Sequence, residues 1–182
     1  MALKATIFRA ELTVSDLDRG HFETHALTIA RHPSETDERM MVRLLAFALN
    51  ADERLDFGRG LSSEGEADLV LTDLTGAIDL WIDVGLPDER EIRKACGRAK
   101  RVAVYIYGTS SEMWWKQNEA ALARQSNLTV VGLPLEATRT MAARASRNMK
   151  LQCTIQEGHV WLSDSAVSLT IEPAVLMPFA GC

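Results

Sequence analysis

Residues 68–108, DLVLTDLTGAIDLWIDVGLPDEREIRKACGRAKRVAVYIYG, decide the fold. Within them Ile78, Leu80, Ile82 and Val84 alternate along one face of a strand, as a half-buried strand requires. Asp79, Trp81 and Asp83 occupy the other face, just before a Gly, a Pro and a helix start. Either this is a wet face carrying one large apolar residue, or its carboxylates do chemistry. Upstream, DLVLT is a shorter strand, and DLTG between the two has the Asp-first, Gly-last signature of a type I turn. Downstream, Asp88 is placed to cap a helix, with Glu91 three residues on as in a capping box. That helix buries Ile92, Ala95, Cys96 and Ala99, and the apolar strand RVAVYIYG follows. Strand, helix and apolar strand make a βαβ unit, which predicts parallel strands with a right-handed crossover.

The hairpin has two readings. Keeping apolar residues on a common face opposes odd to even positions, as in Leu69 with Ile82 and Leu71 with Leu80, a register that puts Asp68 opposite Asp83. A turn centred on Leu74 and Thr75 places Asp68 opposite Trp81 instead. Directly opposed like charges cost a strand pair up to about 1 kcal/mol. A divalent cation would reverse that sign, because hard cations prefer carboxylate oxygens.

Working outward, HPSETDERMMVRLLAFALN (32–50) predicts a helix with Ser34 as N-cap and acidic residues in its first turn. Its stripe runs through Met41, Val42, Leu44, Leu45, Ala48 and Leu49; Glu38 lies in line with the buried face, and Arg39 and Arg43 point away. ERLDFGRGL then supplies a weak strand. The order around the hairpin is therefore α-β-β-β-α-β. Before it, LKATIFRAELTV and HFETHALTIARH predict an antiparallel N-terminal hairpin across SDLDRG. Four-residue spacing in a strand builds no helical metal pair, so His21 and His25 are expected at the surface. After it come a helix (SSEMWWKQNEAALARQ), a strand (NLTVVGLP), a helix (LEATRTMAARAS) and antiparallel strands in the tail. Trp114 and Trp115 are expected as core and rim of their helix. The fold class is α/β (α+β), a mixed sheet with N-terminal and C-terminal antiparallel hairpins, in a single domain over 1–182.

Composition bounds the function. With 182 residues, 47% hydrophobic and 25% charged, the chain can bury a core without disulfides or structural metals. No apolar run approaches the roughly 20 residues needed to span a bilayer, and no signal peptide stands at the start. Three cysteines without metal-ligand spacing point to free thiols and a cytoplasmic location. A net charge of -5 argues against a generally basic nucleic-acid binder. A local basic block runs from Arg90 through Arg93, Lys94 and Arg98 to Arg101, either a solvated helix face or a phosphate-contacting surface. P-loop, GxSxG, HExxH and paired CxxC motifs are absent.

Several of these stretches resemble the YaeQ family of bacterial proteins: RHPSETDERMMVRLLAFALNADERL, IDLWIDVGLPDE, IRKACGRA, LQCTIQEG and WLSD. That family resembles the PD-(D/E)XK nucleases in fold, whose core has the α-β-β-β-α-β order. The resemblance implies metal acids at Asp68 and Asp83, a helix acid at Glu38, and Mg²⁺ or Mn²⁺ as cofactor. The proline that usually precedes the first acid is replaced by Ala67, and Gly85 stands where the lysine is expected. Lys94, on the following helix, is then the candidate catalytic lysine, although its helical angle points it away from the sheet. Arg90, Arg93, Lys94 and Arg98 would contact nucleic-acid phosphates. The expectation is a metal-dependent phosphodiesterase; the alternative is a non-catalytic module that keeps the fold and binds nucleic acid or protein.

Overall fold

The computed structural model describes residues 4–58 and 65–180. A hairpin of β1 (Thr6–Asp16) and β2 (His21–Arg31) opens the chain, paired from Thr6 with Arg31 to Asp16 with His21. Helix α1 (Asp37–Leu49) leads to β3 (Leu55–Phe57), β4 (Leu69–Thr72) and β5 (Ile78–Val84). Then follow α2 (Glu89–Arg98), β6 (Ala99–Ile106), α3 (Ser111–Leu122), β7 (Leu128–Gly132) and α4 (Leu135–Ala143). The tail forms β8 (Asn148–Gln156), β9 (His159–Ser163), β10 (Ser168–Ile171) and β11 (Ala174–Met177). The expected α-β-β-β-α-β order is present as α1-β3-β4-β5-α2-β6, with β5 and β6 parallel as predicted.

Two mixed sheets hold these strands, in the orders β10-β9-β8-β1-β2 and β11-β7-β6-β5-β4-β3. The two terminal hairpins are not separate additions. Strand β8 pairs in parallel with β1, from Arg9 with Asn148 to Asp16 with Ile155, and joins them into one sheet. The Asp18 carboxylate in the first hairpin's turn accepts the Glu157 and Gly158 N–H groups in the turn of the second, at 2.7 and 2.9 Å. Only β11 leaves this sheet, adding to the edge of the other beside β7.

The layers follow from the burial. Leu12, Val14 and Ile29 of the first sheet and Leu69, Ile82 and Val84 of the second share one core with α1 and with Ala137 and Met141 of α4. On the other face of the second sheet, Trp81, Val102, Val104 and Val130 pack with Ile92 and Ala95 of α2 and Leu122 of α3. Helix α1 is thus enclosed by two sheets, which explains why every residue from Met40 to Ala48 is buried.

Enclosure corrects two expectations. Arg43 does not point to solvent; it is fully buried, its guanidinium bonded at 2.7 Å to both Glu35 oxygens and at 2.9 Å to the Ala30 carbonyl. Arg39 also turns inward, bonding Glu35 at 3.0 Å and Asp68 at 2.7 Å. The N-cap is Thr36 rather than Ser34: its hydroxyl accepts the Arg39 N–H at 3.1 Å, whereas the Ser34 N–H donates to His32 Nδ1. Thr36→Ala is expected to lower stability by about 1 kcal/mol in urea unfolding, and Ser34→Ala by much less.

Candidate functional site

The β4–β5 hairpin places the carboxylates, and both of its readings contribute. The turn is centred on Leu74 and Thr75, with the Gly76 N–H donating to the Asp73 carbonyl at 3.0 Å. Asp73 Oδ1 accepts from the Thr75 N–H, the Thr75 hydroxyl and the Ala77 N–H, so the turn holds itself. A register shift between Leu71 and Thr72 then restores the pairing of Leu71 with Leu80 and Leu69 with Ile82. One step further along, the Asp68 N–H donates to the Ile82 carbonyl at 2.9 Å, and Asp68 Oδ2 accepts the Val84 N–H at 2.8 Å. Gly58 makes this possible: a Cβ there would stand 2.0 Å from the Ala67 carbonyl oxygen, and its N–H donates to the Asp68 carbonyl.

Asp68 is buried, and desolvation raises its pKa against the pull of Arg39. Asp83 is raised to about 6 by burial first and by the Asp68 charge second. The strand face carrying Asp79, Trp81 and Asp83 is not a wet face. Helix α2 covers Trp81, which is 5% exposed, and the Arg98 guanidinium lies 5.0 Å above its ring. The Trp81 indole N–H lies near enough to Asp83 to favour the carboxylate, yet it is buried without a hydrogen bond of normal geometry. Asp79, at the other end of the strand, is held by Lys100 at 2.6 Å.

Asp68 and Asp83 open on a cavity of about 730 Å³ between the end of β5 and α2. Arg39, Trp81, Arg93, Lys94 and Arg98 also line it. Lys94 therefore reaches the rim of the acid site despite its helical angle, with its amine 2.7 Å from Glu91 and two-thirds exposed. Arg93 pairs with Glu89 at 2.8 Å, and Arg98 donates to the Gly65 carbonyl at 2.9 Å. Arg90 is exposed and outside the cavity lining. Glu38 is not among the residues that line this cavity. It accepts the Thr138 hydroxyl at 2.7 Å and ties α1 to α4. Among the described residues, no further His, Cys, Asp or Glu completes a three-member ligand cluster with Asp68 and Asp83.

The residue missed in the sequence is Arg39, which meets Asp68 in Glu38's stead. The signal was present in RMMVRLLAFA (39–48), where a nearly continuous apolar run marks a helix buried all round, so that Arg43 within it and Arg39 at its edge must find carboxylates.

Comparison with known proteins identifies the family of the chain. The family model described as YaeQ protein matches residues 1–173. The chain belongs to the YaeQ family. YaeQ of Salmonella typhi is 50% identical over 173 residues, covering 94% of this chain and 96% of that protein. YaeQ of Escherichia coli strain K12 is 49% identical over 172 residues, covering 94% and 95%. Crystal structures of two YaeQ proteins share the fold. The one from Xanthomonas axonopodis pv. citri has a TM-score of 0.92 at 50% identity, covering 95% of this chain and 98% of its own. The one from Pseudomonas syringae has a TM-score of 0.93 at 35% identity, covering 97% and 98%. As in the sequence reading, no helix among the described residues is long and apolar enough to cross a membrane.

Proposed function

We propose that this YaeQ-family chain is a nuclease-like protein that acts on nucleic-acid phosphodiesters, with Mg²⁺ or Mn²⁺ held at Asp68 and Asp83. The observation that carries this reading is the convergence of two desolvated carboxylates on a cavity rimmed by Arg93, Lys94 and Arg98. The α-β-β-β-α-β order resembles that of the PD-(D/E)XK nucleases and supports the same reading. The donor set fits a hard cation. Asp83 ionises against the neighbouring Asp68 charge, and each carboxylate oxygen keeps a lone pair beyond its present hydrogen bond.

Bound there, the ion would supply Lewis acidity and lower the pKa of a coordinated water. The chain's own groups do the rest. The Val84 N–H and Arg39 hold the Asp68 carboxylate in a single orientation. Arg93, Lys94 and Arg98 attract a phosphate to the rim, and none of them reads a base edge. Lys94 stands nearest the role of charge stabiliser; in entering it, its amine exchanges Glu91 for phosphate.

A second reading has its own observation. Arg39 already supplies a positive charge 2.7 Å from Asp68, which suits a non-catalytic module that binds nucleic acid or protein. Calorimetric titration of Mn²⁺ into the wild type and Asp83→Asn separates the two. Saturable binding lost in the variant, with metal-dependent cleavage of labelled DNA or RNA, is the expected result. Nucleic-acid binding that persists in a chelator, with no Mn²⁺ uptake, would establish the second reading instead.

A further inference from the structure

The core-facing row of β2 begins as a ligand set. Along this strand Ile29, Leu27 and His25 are buried in alternation, and the same row continues outward through Glu23 and His21. At the inner end His25 packs edge-on against Phe47 of α1, 5.1 Å between ring centroids, so its ring is held by the core. His25 is 8% exposed and was not at the surface as expected; the side chains of His21 and Glu23 are 23% and 37% exposed.

The row converges at its tips. His21 Nε2 and His25 Nε2 are 3.1 Å apart, and Glu23 Oε2 lies 3.8 Å from the first and 4.0 Å from the second. Residues at i, i+2 and i+4 share one face of a strand, so a single element delivers all three. Among the described residues this is the only cluster of three His, Cys, Asp or Glu ligand atoms within reach of one ion. The surroundings are acidic. Glu53 and Asp52, in the loop after α1, lie close enough to favour a positive charge at His25, against the desolvation that lowers its pKa.

We propose that His21, Glu23 and His25 form a binding site for a divalent transition-metal ion of the Zn²⁺ class, separate from the Asp68–Asp83 cavity. Two imidazoles and one carboxylate suit Zn²⁺ far better than Mg²⁺. The distances favour it. Two nitrogens each about 2.05 Å from a tetrahedral ion stand about 3.3 Å apart, close to the 3.1 Å between the two Nε2 atoms. The rings now meet head-on, nearly coplanar with centroids 5.4 Å apart, as in an imidazole pair sharing one proton. Replacing that proton by the ion requires the two ring axes to bend from head-on to the tetrahedral angle, a combined turn of about 70°. His21 can make the larger part of this turn, being outside the core. Glu23 closes by a rotamer change, and the fourth position faces solvent.

The test uses the full chain without a histidine tag, titrated with Zn²⁺ against a chromophoric chelator, and with Co²⁺ for its visible spectrum. One Zn²⁺ per chain and the absorption of a four-coordinate Co²⁺ site are expected. His21→Gln and Glu23→Gln, both partly exposed and checked for folding by circular dichroism, should each weaken Zn²⁺ binding. The loss should be at least the roughly 10–100-fold that removal of a merely supporting partner costs. Asp83→Asn should leave it unchanged. Absence of Zn²⁺ binding, or affinity unaltered in both variants, would reduce the trio to a proton-sharing imidazole pair. Loss in Asp83→Asn would move the ion to the other cavity and equally overturn the proposal.

Discussion

Glu35→Ala should destabilise the protein by about 3–5 kcal/mol, the cost of leaving a buried charge uncompensated. The Arg43 side chain is wholly buried, and so is that of Glu35, whose two oxygens take both of its carboxylate bonds. When Glu35 is removed, Arg43 keeps the Ala30 carbonyl as its hydrogen-bond acceptor and the Phe57 ring 5.9 Å from its guanidinium, and its Nη1 already lacks a hydrogen bond. Glu35 also accepts from Arg39, which in turn bonds Asp68, so a chain of charges runs from the core of the molecule to the cavity. Urea unfolding of Glu35→Ala, and of Glu35→Leu combined with Arg43→Met, measures the effect. The double variant should recover most of the loss, since well-packed apolar residues replace a buried pair at little cost. A single variant within 1 kcal/mol of wild type would mean that water reaches the pair.

Asp83→Asn should act in the opposite direction. Folding raises the Asp83 pKa from 3.8 to about 6, chiefly by burial and then by Asp68. The folded state therefore binds this proton more tightly than the unfolded chain. Its contribution to stability is complete below about pH 4 and is lost as pH rises through about 6. Above that, wild type carries a penalty of roughly 2 kcal/mol, allowing for partial exposure of the carboxylate. Asparagine, neutral and of the same shape, lacks it. Unfolding of both proteins at pH 4 and pH 8 should show curves that agree at the lower pH and separate in favour of the variant at the higher. A difference independent of pH would show that the carboxylate is solvated. A protein that is more stable without one of its own carboxylates has that group in place for something other than stability.

The sequence carried the strand architecture well because its signal is local. Leu69, Leu71, Leu80 and Ile82 alternate cleanly, and a one-residue slip would turn either strand's row away from the core. The shift at Leu71 and Thr72, which reconciles that registry with the turn, leaves no compositional mark. Helical angles failed where a helix is enclosed. A single-face reading sent Arg39 and Arg43 outward, although α1 lies between two sheets and has no outward side over most of its length. For the site, Asp68 and Asp83 were legible from the hairpin, whereas Glu38 depends on how α1 is rotated against α4, a long-range property. The pairing of β1 with β8 was equally hidden, because nothing in either strand names a parallel partner.

That pairing joins residues about 140 positions apart. On a ribosome, β1 and β2 emerge early and can close their hairpin at once, since their contacts are local. Their apolar row and the open edge of β1 must then wait through the synthesis of α1, strands β3 to β7 of the second sheet with α2 and α3, and α4 before β8 arrives. The nascent chain thus holds a sticky strand edge for most of its production, a setting in which a chaperone or a neighbouring chain can take the place meant for β8.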